Sequence, residues 1–414
     1  MRLKVKIPFL QGKWTAPASK SELIRYIAIA MQCEEESLIN NVTWCNDSFA
    51  MLNIAESWGA HIEVNNQKII CKGKIIPEAN KYNAEESALC LRLMTPLLSK
   101  HEGKFILNAE GSLLARQIGE IERVLNQIGA NIVSNNGYPP VIVNGKISSA
   151  DISIEYPLSS QNISGLLFTL PQIKGNSSIR LKRLISLPYI KVTLKCLSNA
   201  GIEIQVNDTY TEYYIKGEQN FSSFNASVEG DWSAASVLFA GASIYGNLYA
   251  HNLSLDSLQA DKDILNFIFV KDLHKYLHIK TQKIKSFRTD ITHCPDLFPA
   301  LVVLAMHADG ISEIYGINRL LHKESNRIDT FMQEFSKFGV KFSSTGDKIT
   351  IRPPLQIESC EINTHNDHRI AMAAAIAITG TKAHVIINDA QCVNKSYTSF
   401  WEDIACLGAE ITEV

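Results

Sequence analysis

One unit recurs along this chain and constrains its fold more than any other feature: an amphipathic helical stretch, a glycine, then a short alternating strand. The copies read SFAMLNIAESWGAHIEV, EIERVLNQIGANIVS, YIKVTLKCLSNAGIEIQV, RIDTFMQEFSKFGVKFSS and SFWEDIACLGAEITEV. Their glycines, Gly59, Gly129, Gly201, Gly339 and Gly408, are spaced by 70, 72, 138 and 69 residues. The third interval is a double one, so a sixth copy belongs near residue 270. There DKDILNFIFVKDLHKYLHIKTQ offers a helix-like and then a strand-like stretch without the glycine. In each copy the helix carries apolar residues three and four apart, as in Ile121, Val124, Leu125 and Ile128, and so buries one stripe. Glycine past the helix end can take the left-handed conformation that closes the last turn. The strand then alternates, as in Ile202, Ile204 and Val206, and buries one face. Helix and strand alternate throughout, which makes the class α/β. Six units divide naturally into three and three.

A chain of 414 residues is long for one core, and two or three domains are expected. The net charge of -2 asks for neither nucleic acid nor an anionic membrane. An anion site must therefore come from a local gathering of Lys and Arg. Nine scattered cysteines with no CxxC pair argue against a disulfide framework or a zinc site, and suit reduced thiols in a cytoplasm. The opening MRLKVKIPFLQGKW lacks the apolar core of an export signal. Apolar runs such as Ile370 to Ile378 fall short of the roughly 18 residues of a membrane span.

Polar clusters interrupt the apolar pattern at one recurring position, the start of a helix. Lys20 and Ser21 open the first, with Arg25 one turn on, where free backbone N–H groups and the helix dipole favour an anion. Ser159, Ser160 and Gln161 open another, before Ile163 to Leu170; alone, they serve equally well as ordinary caps. Asp296 precedes the apolar run Leu297 to Met306. The stretch from His322 to Arg327 sets Lys323 and Arg327 one turn apart with Glu324 between them in sequence. Such a carboxylate is either a structural ion-pair partner or, in a dry site, a proton carrier. Asp367, His368 and Arg369 open the run IAMAAAIAI, and Lys395 precedes a further helix-like stretch. Converging helix starts of this kind would form one cationic cleft suited to a substrate with several anionic groups.

Ten ordered stretches, SKSELIR, ESALCLR, GSLLARQIG, SSQNISGLL, SLPYIKVTL, EGDWSAAS, CPDLFPAL, HKESNRI, NDHRIAMAAAIA and CVNKSY, resemble the 5-enolpyruvylshikimate-3-phosphate synthase family over essentially the whole chain. The resemblance implies a two-domain enolpyruvyl transferase fold of six βαβαββ repeats, three per domain, around an interdomain cleft. One domain would comprise residues 1–18 and 229–414, the other 19–228. The implied reaction moves the enolpyruvyl group of phosphoenolpyruvate to the 5-hydroxyl of shikimate 3-phosphate, on the route to chorismate and the aromatic amino acids. By the same resemblance, shikimate 3-phosphate is held by Lys20, Ser21, Arg25, Ser159, Ser160, Gln161, Ser186, Tyr189, Asp296 and Lys323. Phosphoenolpyruvate is held by Lys20, Ala88, Arg116, Gln161, Arg327, His368, Arg369 and Lys395. Asp296 and Glu324 are the expected proton carriers. No cofactor or metal is expected, nor a nucleic-acid or membrane partner, and the expected state is a cytoplasmic monomer.

Departures from the family pattern fall beside these residues. Ala88-Leu89 stands where Gly-Thr is usual, so a methyl group intrudes on the phosphoenolpyruvate site and a hydroxyl is lost. This narrowing is expected to disfavour glyphosate, which is longer than phosphoenolpyruvate. Leu321 and Asn326 replace the usual Arg and Asp; Ala88-Leu89 and Leu321 motivate the alternative of a paralogue acting on another anionic alcohol. The related transferase for UDP-N-acetylglucosamine carries a reactive loop cysteine, whereas the corresponding loop here, residues 108–116, has none.

Overall fold

The computed structural model describes residues 1–321 and 323–414; His322, in the polar stretch before Arg327, lies outside them. Among the described residues the strands form six four-stranded sheets with one shared plan. The sheet of Lys81–Asn83, Lys104–Asn108, Asn131–Asn135 and Tyr138–Asn144 illustrates it. Its first two strands pair in parallel across the helix Ala88–Ser99. A closing hairpin then returns its last strand antiparallel to the second. All six sheets repeat this order, six units as the glycine spacing predicts and the βαβαββ plan that the resemblance implies. The five repeat glycines have φ between 79° and 111°, the left-handed region that a side chain disfavours. The glycine-less sixth copy keeps its two strands, Val270–Asp272 and Leu277–Lys280, but its helix shrinks to the 3-10 turn Ala260–Asn266.

Three sheets are completed by strands remote in sequence. Leu3–Lys6 lies between Val385–Asn388 and Glu410–Glu413, antiparallel to both. Leu10–Thr15 pairs in parallel with Gly246–His251, and Asn225–Ser227 with Ser37–Asn40. The chain accordingly divides into two compact units of three sheets each: Met1–Pro17 with Glu229–Val414, and Ala18–Val228. Ala18 falls with the second, where its N–H donates to Thr43 Oγ1 at 2.7 Å.

Each core is built from the first helix of every repeat. In the discontinuous unit, Trp232–Tyr245, Phe298–Met306 and His368–Ala377 all pack on one another. Every residue of FPALVVLAM, 298–306, is buried, the composition of a helix enclosed on all sides. Each of its large apolar side chains contributes roughly 1.5–3 kcal/mol. In the continuous unit, Ala88–Ser99 packs against both Lys20–Ala30 and Ser160–Thr169. A Cβ at Gly165 would lie 2.3 Å from the Arg92 carbonyl oxygen, so glycine allows Ser160–Thr169 and Ala88–Ser99 to approach. Pro96, four residues after Arg92, has no N–H to occupy that carbonyl. The second helices are amphipathic, as predicted: Gly119–Gln127 buries Ile121, Val124 and Leu125.

Candidate active site

In the discontinuous unit one guanidinium organises the site. Arg327 opens the helix Arg327–Phe335 and has no exposed surface. Its Nη1 donates to Asp296 Oδ1 at 2.7 Å, its Nη2 to Glu324 Oε2 at 2.6 Å and its Nε to Asp367 Oδ2 at 2.8 Å. Lys323 Nζ reaches the same Asp296 oxygen at 3.2 Å. Arg369 lies 3.6 Å from that oxygen and donates to the Asp296 backbone carbonyl at 3.2 Å. Asp296, Lys323, Glu324, Arg327 and Arg369, selected from sequence, therefore form one network. Buried His368 lies 3.8 Å from Asp367. Buried Lys395 ends the 3-10 segment Ala390–Lys395, which packs on the helix His368–Ala377.

The chain folds this way locally because caps fix the helix starts. Asp367 accepts the Arg369 N–H at 3.0 Å while its other oxygen takes Arg327, so one carboxylate both caps a helix and orients the guanidinium. Asn326, a departure from the family pattern, caps its own helix by accepting from the Asp329 N–H at 3.4 Å. Leu321 is exposed in the preceding turn.

Electrostatics divides labour within the network. Burial raises the proton affinity of Asp296, but Lys323, Arg369 and Arg327 together outweigh it and hold the carboxyl well below its usual range. Lys323 is pushed down to about 8, chiefly by burial, with Asp296 pulling the other way. Arg327 is held firmly charged: burial opposes the charge, and Asp367, Glu324 and Asp296 more than compensate.

The continuous unit gathers the other predicted residues. Lys20, first residue of its helix, pairs with Asp47 Oδ2 at 2.9 Å. Arg25 is buried, donating to Thr193 Oγ1 at 2.9 Å and to the Ser21 carbonyl at 2.7 Å; burial lowers its proton affinity. Its Nη2 reaches the Tyr189 carbonyl at 3.5 Å. Ser186 caps the helix Leu187–Asn199 in the left-handed conformation, at φ 46°. Ser159 caps Ser160–Thr169, accepting from the Gln161 N–H at 3.2 Å, and Ser160 is its buried first residue. Buried Ala88 is the first residue of its own helix. Arg116, mostly buried, closes the 3-10 turn Gly111–Ala115.

Three supporting residues escape the sequence reading. Arg92 donates to Gln161 Oε1 at 2.8 Å and to the Gln117 carbonyl at 3.1 Å, tying Gln161 to the loop residue next to Arg116. The signal was a lone cation on the otherwise apolar run ALCLRLMTPLL. Glu86 anchors the Arg116 loop, accepting from the N–H and hydroxyl of Ser112 at 3.1 and 2.8 Å. Asp47, the Lys20 partner, sits in the first turn of another helix and left no pairwise signal. Among the described residues no group of three His, Cys, Asp or Glu could hold a metal ion, and no helix is long and apolar enough to cross a membrane.

The family model described as EPSP synthase (3-phosphoshikimate 1-carboxyvinyltransferase) matches residues 5–404. The chain is 32% identical to a 3-phosphoshikimate 1-carboxyvinyltransferase of Clostridium novyi, covering 98% of this chain and 97% of that one. It is 31% identical to one of Clostridium beijerinckii, over 99% and 98%. Among solved structures, an EPSP synthase of Acinetobacter baumannii superposes with a TM-score of 0.82 at 23% identity, over the whole of both chains. The enolpyruvyl transferase NikO of Streptomyces tendae follows the same fold at 0.79 and 14% identity, over 100% and 98%.

Proposed function

The chain belongs to the EPSP synthase (3-phosphoshikimate 1-carboxyvinyltransferase) family, and from that premise we propose how its own residues perform the transfer. Arg25, Ser21, Ser159, Ser160, Ser186 and Tyr189 bind shikimate 3-phosphate, together with Lys20, Gln161 and Lys323. Ala88, Arg116, Arg327, His368, Arg369 and Lys395 take phosphoenolpyruvate, with Lys20 and Gln161 shared.

Asp296 accepts the proton of the attacking 5-hydroxyl as its oxygen bonds to C2 of phosphoenolpyruvate, and Glu324 protonates C3. In the second half, Glu324 retrieves a proton from C3 as the C2–O bond to phosphate breaks, and the departing phosphate carries off the proton that Asp296 had taken. The products are the enol ether and phosphate. An Asp296 held so firmly ionised is a weak base, which gives the substrates a further part. Their anionic groups draw on Lys323, Arg327 and Arg369, weaken the hold of those cations on Asp296, and raise its proton affinity when a proton must be taken. Fixed cations along both reactants supply positioning and charge stabilisation for the rest.

The observation carrying this reading is the Asp296–Lys323–Glu324–Arg327–Arg369 network, two carboxylates on a shared set of cations. Phosphate release from phosphoenolpyruvate, dependent on shikimate 3-phosphate and lowered by about 10²–10⁴-fold in Glu324→Gln, is the test; undiminished turnover in that variant defeats the assignment. The enzyme works as a monomer, in a cytoplasmic compartment that nine free cysteines, seven of them buried, support. Light scattering at micromolar concentration checks the monomer.

A further inference from the structure

A buried acid outside the proposed chemistry adjoins the network. Asp261 lies in the 3-10 turn Ala260–Asn266, which packs against both the turn Pro295–Leu297 carrying Asp296 and the helix Trp232–Tyr245. Only 1% of it is exposed. Ser233 Oγ donates to its Oδ2, while its Oδ1 is buried with no hydrogen-bond partner among the described residues. A buried carboxylate with half of its acceptors unmet is costly, and the ordinary remedy is to keep a proton. The groups facing it are Arg369 from the helix His368–Ala377, Asp296, Asp231 at the start of the helix Trp232–Tyr245, and the Cys294 thiol. Burial pushes the Asp261 carboxyl up to about 7, against the pull of Arg369 and with a further push from Asp296.

We infer that Asp261 is a positioning residue that governs how much of Arg369 is left for Asp296 and for an incoming anion. As a neutral acid it makes no ionic claim on the guanidinium. As a carboxylate it competes for Arg369 and repels both Asp296 and an arriving phosphoenolpyruvate. Binding of that anion is then linked to proton uptake, and affinity falls as pH rises through 7. This rests on the reading of Arg369 as a phosphoenolpyruvate ligand.

The experiment measures the KM for phosphoenolpyruvate from pH 6 to 8.5 in the full chain, saturated with shikimate 3-phosphate. In the unaltered enzyme KM rises by up to about tenfold, the factor for a one-unit change in Asp261's proton affinity on binding. Asp261→Asn, neutral at every pH, removes that rise; any ionisation of the phosphate itself is common to both enzymes. Ser233→Ala, lacking the hydrogen bond that favours the carboxylate, moves the rise to higher pH. An Asp261→Asn profile parallel to the unaltered one, at whatever absolute rate, overturns the inference. Should that variant fail to fold, an unshifted profile in Ser233→Ala overturns it instead. Arg369→Gln separates the two readings. If it leaves the KM unchanged, the ligand assignment itself is wrong; if KM rises while Asp261→Asn keeps the original slope, only the role of Asp261 is lost.

Discussion

The polar clusters of the two units bury charge in different ways. In the discontinuous unit Arg327, Lys323 and Arg369 are set among Asp296, Glu324 and Asp367, so each charge is matched within the protein. In the continuous unit the buried Arg25 donates to a hydroxyl and backbone carbonyls, with the Glu22 carboxylate acting on its charge. The first arrangement suits proton movement, because carboxylates among cations have tunable proton affinities. The second suits capture, because Arg25 donates its hydrogen bonds to neutral groups. On the proposed assignment, acid–base chemistry and much of the anion binding fall to different stretches of the chain.

That contrast breaks most visibly on chemistry. Glu324→Gln should lower kcat by about 10²–10⁴-fold, the usual worth of a proton carrier, with KM values little changed, measured by phosphate release. Arg327→Ala leaves three carboxylates facing one another in a buried site. The expected loss is about 3–5 kcal/mol of stability, read from denaturant unfolding, with no measurable turnover. Arg25→Ala should be far gentler on stability, since its hydrogen-bond partners are uncharged, yet should cost about 1.5–3 kcal/mol in shikimate 3-phosphate binding, measured by calorimetry. Equal stability losses in Arg327→Ala and Arg25→Ala would erase the distinction drawn above.

Two smaller effects sharpen it. Lys323 has its folded value lowered to about 8, below that of an ordinary lysine, so it gives up its proton as pH rises through 8 and the KM for shikimate 3-phosphate should climb there. Lys323→Arg, always charged, should shift that limb upward. The stability effect has the opposite sense: between the two values the unfolded chain holds more protons, so this group destabilises the fold less as pH rises above 8. The smallest expected change concerns Ala88, buried at the start of its helix. Ala88→Gly should improve inhibition by glyphosate severalfold, and low-micromolar inhibition of the unaltered enzyme would remove the case for a narrowed pocket.

The fold was legible because its signal is periodic: glycines about 70 residues apart mark one position in a repeated sheet plan, visible without knowledge of any contact. The candidate site was legible where a polar residue interrupts an apolar helix start, as at Lys20, Ser160, Asp296, Arg327 and Arg369. Partners were harder. Asp367 could be read as a cap, but its grip on Arg327 joins residues forty apart and depends on two helix starts meeting. Asp47 and Glu86 look like any surface acid until their partners are seen. Asp261 lay inside the degenerate repeat, where the weakened pattern drew attention to the missing glycine and away from the acid.

The strand Leu3–Lys6 is not an edge but an interior member of its sheet, flanked by segments that begin about 380 and about 410 residues later. During synthesis it leaves the ribosome long before either partner and has no strand of its own sheet to pair with until they follow. Residues 18–228 hold all three of their sheets and can condense well before that, once Asn225–Ser227 has closed the one begun at Ser37. The cluster around Arg25 can therefore be assembled early, whereas the network around Arg327 waits for Asp367 and Arg369. A nascent chain arrested near residue 350 would carry the first and lack the second, exposing an unpaired strand to aggregation for as long as translation stalls.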